Sequence, residues 1–367
     1  MTQTYADHTG TRPGEQLAVE EAVGRRLTDV LGEERRRWLA TAVEKGDCAA
    51  LLGVLERTLV GGKRVRAQLC LWGYAGAARR SVGTGATEPP AGAVDAAAAV
   101  ELLHAFAVIH DDVMDGSPIR RGDPSVHERF RAEHGTRGWA GDGRRFGDSM
   151  AILAGDLAFA LAQRLAAGLP APSVRVWTEL IRDLTVGQYL DVIGAARGRR
   201  DAEYAGRVAR LKSGSYTVER PLQLGAAVAG RLDELAPAYT AYGRPLGEAF
   251  QLRDDLLGAF GDPAVTGKPA GEDLRDGKST LLLAYADGVC TGPDRWLLDK
   301  AGRAELDDAE LAALVAMLER CGAREMVERR ITGLVDQATA ALDAALLPPD
   351  VVDALRRLAI SLAWRRR

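Results

Sequence analysis

The sequence predicts an all-α protein, and three observations carry that prediction. Ala-, Leu-, Arg- and Glu-rich segments follow one another with apolar residues at helical spacing. β-branched and aromatic runs are few, with aromatics at 5% of 367 residues, and Gly- and Pro-containing breaks separate the segments.

Residues 1–15 are polar, with Gly10, Pro13 and Gly14, and read as a mobile tail ahead of one helical domain over 16–367. Helical spacing predicts helices at 17–44, 48–59 and 63–79, then at 92–115, the most apolar of the set, 124–133, 149–168 and 172–195. Further helices are expected at 201–212, 214–229, 232–258, 279–287, 293–301, 307–320, 322–345 and 349–364. The breaks at 80–92, 135–147, 196–200, 261–277 and 288–293 contain Gly or Pro, and none has the length of an interdomain linker.

A hydrophobic content of 47% is ample for a core, and a net charge of −3 with both signs interspersed excludes the electrostatic footprint of a nucleic-acid binder. The terminal Arg365-Arg366-Arg367 reads as a solvated tail. Cys48, Cys70, Cys290 and Cys321 show no short metal spacing and the N-terminus has no signal-like apolar core, which points to the cytoplasm. Asp95, Glu101 and His104 interrupt the best candidate membrane helix, so no transmembrane segment is expected. Only six of 48 basic residues are Lys, and Asn is absent, so each retained Lys marks a place where a compact point charge serves better than guanidinium; Lys45 and Lys300 are the two read as ordinary surface.

The chemistry begins at His110-Asp111-Asp112-Val113-Met114-Asp115. Asp111 and Asp115 are four apart, so on a helix they share a face roughly 6 Å apart along the axis. The apolar run before them puts the carboxylates at a helix C-terminus, where the dipole disfavours anions. A second pair, Asp254-Asp255, follows Gln251 in similar apolar surroundings. Hard oxygen ligands without neighbouring Cys or His pairs favour magnesium shared with a phosphate or diphosphate. Gly61-Gly62-Lys63-Arg64-Val65-Arg66 would open a helix as an anion site with Lys63 and Arg66 on one face. Arg120 and Arg121 follow the first acidic cluster in a Gly/Pro-rich loop.

From about residue 17 onward the chain resembles the trans-isoprenyl diphosphate synthases of the polyprenyl synthetase family. The resemblance rests on an ordered series: GGKRVR (61–66), HDDVMD (110–115), RRG (120–122), GQYLD (187–191), LKSGSY (211–216), FQLRDDLLGAFGD (250–262), Lys268 and DLRDGKST (273–280). It implies an isoprenoid synthase-type helical bundle around a central cavity, which condenses isopentenyl diphosphate with an allylic diphosphate. Lys63, Arg66, His104 and Arg121 are then expected to bind isopentenyl diphosphate. Arg120, Lys212, Lys268 and Lys278 would hold the allylic diphosphate, with Ser213 and Gln251 beside its reacting end. Asp111, Asp115 and Asp254 are the implied principal magnesium ligands, Asp112 and Asp255 support them, three ions are implied in the substrate complex, and manganese is a substitute. A homodimer is implied by the same analogy.

One departure stands out: Gly258 replaces the third Asp of the second motif's common pattern, with Asp262 as a candidate to compensate. His104 lies seven residues before Asp111 on an apolar helix, and its competing reading is a satisfied core histidine. Gln188 and Asp191, one turn apart, read either as groups facing the metal or cation or as a buried polar contact. Phe106, Ala107 and Leu103 precede Asp111 by five, four and eight residues. By resemblance, one aromatic beside a small residue there suggests the twenty-carbon geranylgeranyl diphosphate, with farnesyl diphosphate as the alternative. A terpene cyclase of the same fold would need no isopentenyl diphosphate site, and a non-catalytic partner subunit would lack the carboxylates.

Overall fold

A computed structural model describes residues 13–40, 47–78, 89–262, 270–303 and 306–365. Among them are sixteen α-helices, and the only strands form one short hairpin. The first half comprises α1 (Pro13–Ala40), α2 (Asp47–Leu59), α3 (Val65–Ala78) and α4 (Ala91–Met114), then strands β1 (Ile119–Arg120) and β2 (Asp123–Pro124), then α5 (Val126–Arg137), α6 (Gly143–Ala166) and α7 (Ala171–Ala196). The second half runs through α8 (Ala202–Val208), a π-helical segment (Ala209–Glu219), α9 (Arg220–Val228) and α10 (Leu232–Phe260) to α11 (Glu272–Arg275), α12 (Leu281–Val289), α13 (Gly292–Lys300), α14 (Asp308–Arg320), α15 (Ala323–Asp343) and α16 (Pro349–Ala363).

Two apolar clusters divide the interior. One joins α1, α2, α4, α6 and α7 through residues such as Val23, Leu55, Leu103, Leu161 and Leu180. The other joins α10 to the C-terminal helices through Tyr239, Leu246, Leu318, Ile331 and Leu355. Helix α3 belongs to both, giving Cys70 and Leu71 to the first and Leu69 and Trp72 to the second, and α9 divides its Leu224 and Leu222 in the same way. Helices that are apolar all round must be buried on both faces, and these two form the shared wall. The two acidic motifs end helices on either side of it.

Residues 201–229, expected as two helices with a break at 213, form one continuous rod widened in the middle. Pro221 lacks the N–H that would bond to the Thr217 carbonyl in a regular α-helix, and the wider π pattern occupies the turns just before it. Buried polar contacts fix this segment: Ser215 donates to Asp183 at 2.7 Å, Arg220 Nε donates to the same carboxylate at 3.1 Å, and Thr240 donates to Glu219 at 2.8 Å. Its other side chains are thereby aimed at α3, α4 and α7.

Other boundaries differ less. Helix α1 begins at Pro13, inside the expected tail, and the hairpin over 119–124 was not expected. By mean hydropathy, α4 and α6, 24 residues each, are long and apolar enough to cross a membrane, although neither has the uninterrupted apolar run counted in the sequence. Both serve as core helices here, contributing Leu102, Leu103, Ala154 and Leu161 to one buried cluster.

Candidate active site

The last turn of α4 presents Asp111 and Asp112, and Asp115 closes it as the C-cap. All three carboxylates meet cations. Lys212 Nζ, from the π segment, donates to Asp111 Oδ1 at 3.1 Å and to Asp191 Oδ2 at 2.6 Å. Arg120 Nε donates to Asp112 at 2.8 Å, with its Nη2 also on that carboxylate, and Asp112 is only 2% exposed. Lys278 Nζ lies 2.6 Å from Asp115 Oδ2 and 2.9 Å from Asp273 Oδ1.

Burial alone would raise the Asp111 carboxyl, but the ammonium of Lys212, followed by Lys278 and Arg120, holds it well below the usual carboxylate range. Asp115 goes the other way, raised by burial and then by the neighbouring Asp111 charge. Lys212 and Lys278 are both driven up: burial opposes their charge, and the surrounding carboxylates outweigh it.

The helix α7 contribution depends on a close approach. A Cβ on Gly187 would sit 2.2 Å from the Lys212 backbone nitrogen, so only glycine lets α7 lie against the π segment there. The next residue, Gln188, then donates from Nε2 to Asp111 Oδ1 at 3.0 Å. Gln188 and Asp191 therefore contact Asp111 and Lys212 directly.

The second motif lies at the end of α10. Asp254 pairs with the guanidinium of Arg365, which also stacks 4.0 Å from the centre of the Phe250 ring. Arg365 is thus a docked residue rather than part of a solvated tail; Arg366 and Arg367 lie outside the described residues. Asp255 accepts from Gln251 Nε2 at 2.7 Å, and burial, reinforced by Asp273, Asp254 and Asp191, pushes its carboxyl up to about 8. Asp191, Lys212, Gln251, Asp255, Asp273 and Lys278 line one cavity.

Gly258 has a steric reason. A Cβ there would come 2.9 Å from Asp273 Oδ2, so the Asp273 carboxylate fills the space a third aspartate would enter. Asp262 does not: it is exposed, beyond the helix end at Phe260.

A separate cationic group sits behind the first motif. Arg66, 9% exposed, donates from Nη2 to the Tyr216 hydroxyl at 2.7 Å, and that hydroxyl lies 3.2 Å from His104 Nδ1. His104 is held well below its ordinary value by burial and then by Arg66, Arg121 and Arg120, which favours the neutral ring. Lys63 is exposed and precedes α3, so it does not share a helical face with Arg66 as expected; Arg64 turns away, donating to the Glu20 carbonyl at 3.0 Å. Arg121 is left-handed, with φ +54°, which separates it from Arg120: its guanidinium would stand 3.4 Å from a Cβ on Gly62. The adjacent arginines thus face two different sites.

Phe106 stacks on His110 and Phe159, with ring centres 4.6 and 5.0 Å apart, while Leu103 is fully buried and Ala107 partly so. Ser213 is buried in the π segment, and Lys268 lies outside the described residues. Asp273 and Tyr216 carry no role in the sequence motifs that contain them: Asp273 is the acidic residue five before Lys278, and Tyr216 has no signal beyond its place in LKSGSY.

As placed, no group of three His, Cys, Asp or Glu side chains among the described residues is arranged to hold an ion; Lys212, Lys278, Arg120 and Arg365 stand on the carboxylates. The donor set, oxygen throughout with exchangeable cations already beside it, fits magnesium.

The chain is 36% identical to the (2E,6E)-farnesyl diphosphate synthase of Mycobacterium tuberculosis over 243 residues, 64% of this chain and 63% of that one, so it spans under two thirds of that relative's length. It is 35% identical to the geranylfarnesyl diphosphate synthase of Aeropyrum pernix over 76% of this chain and 82% of that one. The crystal structure of the Corynebacterium glutamicum geranylgeranyl pyrophosphate synthase, complexed with isoprenyl diphosphate and magnesium, superposes with a TM-score of 0.86 at 36% identity, covering 95% and 99% of the two chains. The sequence profile described as polyprenyl synthetase matches residues 49–318, and with both aspartate motifs assembled across one helical wall, this chain belongs to that family.

Proposed function

We propose that this chain, folded as one helical domain, is a trans-prenyltransferase condensing isopentenyl diphosphate with an allylic diphosphate: dimethylallyl, geranyl or farnesyl. The observation that carries the reading is the presence of two distinct cationic groups. Arg120, Lys212 and Lys278 lie on the aspartates, whereas Arg66 and Arg121 gather behind them beside the neutral His104. A terpene cyclase needs only the first. Two diphosphate substrates need both.

Asp111, Asp115 and Asp254 would hold magnesium, with Asp112 and Asp255 in support, and the bound metal, up to three ions with manganese as a substitute, would supply positive charge to the leaving diphosphate. Lys212 and Lys278, already at the carboxylates, are placed to turn to that diphosphate as its C–O bond breaks. Lys268 joins them by family resemblance. The allylic C1 is then attacked by the double bond of isopentenyl diphosphate, held by Lys63, Arg66, His104 and Arg121, and a proton leaves to the released diphosphate. Gln251 and Ser213 would line the reacting end. No protein nucleophile takes part.

Geranylgeranyl diphosphate is the product we favour, because a single aromatic, Phe106, stands beside the small Ala107 and above Leu103; farnesyl diphosphate is the alternative. Exposed Ile152, Leu153, Val186, Tyr189 and Val192 on α6 and α7 support a homodimer, which light scattering tests. We place the enzyme in the cytoplasm.

The test is incubation of purified protein and Mg²⁺ with labelled isopentenyl diphosphate and each primer, followed by sizing of the dephosphorylated alcohols. Geranylgeraniol supports the whole reading. Farnesol or longer alcohols keep the reaction and discard the Phe106 ruler, and cyclic hydrocarbon or no elongation overturns it.

A further inference from the structure

Tyr216 occupies a position the mechanism above does not use. Its ring lies under the Arg66 guanidinium, 4.5 Å from the charged carbon, and its hydroxyl has two hydrogen-bond partners among the described residues, Arg66 Nη2 at 2.7 Å and His104 Nδ1 at 3.2 Å. A guanidinium has no acceptor, so the Arg66 contact must be received by the Tyr216 oxygen. With no other acceptor beside it among the described residues, the hydroxyl hydrogen is satisfied by donation to a lone pair on His104 Nδ1. The imidazole proton is left on Nε2.

We infer that Tyr216 is a positioning residue for isopentenyl diphosphate, locking Arg66 in place and fixing His104 as the neutral Nε2–H tautomer that donates to the diphosphate. The inference rests on the condensation reading of the site. It changes what His104 does, since a neutral donor gives direction to the contact while charge is left to Lys63, Arg66 and Arg121. The surroundings agree from every side. Arg66 on α3, Arg120 and Arg121 in the hairpin and burial all oppose imidazolium, and Asp111 on the same helix favours it. Part-buried Glu101, one turn before His104, accepts from the Ala67 backbone N–H at 3.1 Å and faces Arg66 and Arg121. Arg66 Nε is itself buried without a hydrogen-bond partner, so one donor of this group is unused within the described protein.

Tyr216→Phe removes the hydroxyl and keeps the ring beneath Arg66. The expected result is an approximately ten-fold rise in KM for isopentenyl diphosphate, the size of one charge-assisted hydrogen bond, with kcat and the allylic KM unchanged. Nitrogen-15 NMR of the full-length protein labelled at histidine reads the tautomer directly and needs no turnover. Wild type should show a protonated Nε2 and a bare Nδ1 at neutral pH, and the variant a mixture of tautomers. A wild-type His104 protonated at Nδ1 would overturn the inference even if the variant failed to fold. Equal effects on both substrates, or an unchanged isopentenyl diphosphate KM, would reduce Tyr216 to a core residue. Absence of condensation in the wild type with the Nε2–H tautomer intact would instead sink the functional reading, leaving a fixed histidine whose ligand inorganic diphosphate titration would then test: a shift at Nε2 keeps the donor role, and no shift removes it.

Discussion

The two acidic motifs end helices on opposite sides of one wall, yet they are electrostatic opposites. At the end of α4 each aspartate has a cation: Lys212 on Asp111, Arg120 on Asp112 and Lys278 on Asp115. At the end of α10, Asp255 has only an amide among the described residues, from Gln251, and its carboxyl is pushed up to about 8, while Asp254 is 44% exposed and held by Arg365. In the first motif every carboxylate is paired, and Asp111 is held charged by its cations. In the second, burial favours the protonated form of Asp255. Lys212 and Lys278 offset the negative charge that the first motif gathers at the end of α4.

The largest effect should come from the first motif. Asp111→Asn removes the carboxylate shared by Lys212 and Gln188 and is expected to lower kcat by about 10³-fold, whereas Asp255→Asn should lower it by roughly 10-fold. Steady-state rates with the favoured primer decide this, and the reverse order would invert the comparison. A second effect sharpens the other side. If Asp273 supplies the carboxylate that Gly258 omits, Asp273→Asn should weaken magnesium binding about ten-fold, and Gly258→Asp should weaken it as well by crowding Asp273. The double change Gly258→Asp with Asp273→Gly should recover most of the loss. Calorimetric titration of Mg²⁺ with inorganic diphosphate present measures all three, and simple additivity would separate Asp273 from the second motif.

Stability against pH should also have opposite signs at the two motifs. Asp111 has a folded value below its unfolded one, so its contribution is fully present above about pH 4 and is lost as pH falls through the folded value. Asp255 is raised, so between roughly pH 4 and 8 the folded chain keeps a proton that the unfolded chain has released, and stability falls as pH rises across that window. Urea unfolding of wild type and Asp255→Asn from pH 5 to 8 should show the difference between them changing with pH, the wild type losing ground toward pH 8. A pH-independent difference would place the Asp255 proton elsewhere.

Much of this was legible in the sequence because local rules and global fold agree along it. The helical period of 92–115 and the spacing of Asp111 and Asp115 placed the first motif to within a residue of the end of α4. The lysine count singled out Lys212 and Lys278, which meet across the cavity although 66 residues separate them in the chain. What was not legible depends on side chains from distant elements meeting. Asp273 gains meaning only when it is seen against the bare Gly258 backbone, and Tyr216 only when the π segment turns it toward Arg66 and His104. The break expected at 213 is instead a widened stretch of one continuous helix ahead of Pro221, held by the buried Asp183 and Glu219 contacts.

The smallest expected effect tests the weakest link of the second motif. Arg365 touches Asp254 through an ion pair and Phe250 through its ring, and the Asp254 side chain is nearly half exposed, so solvent screens much of the attraction. Arg365→Ala should therefore change unfolding free energy by less than about 1 kcal/mol. It should also raise magnesium affinity two- to three-fold, because the metal no longer competes with a guanidinium for the Asp254 carboxylate. The same change paired with Asp254→Asn should add nothing further to the binding loss of Asp254→Asn alone, since both act on one oxygen. If instead Arg365→Ala weakens magnesium binding measured with diphosphate present, the guanidinium follows the ligand rather than opposing it, and the second motif is as fully equipped with cations in the bound state as the first is without one.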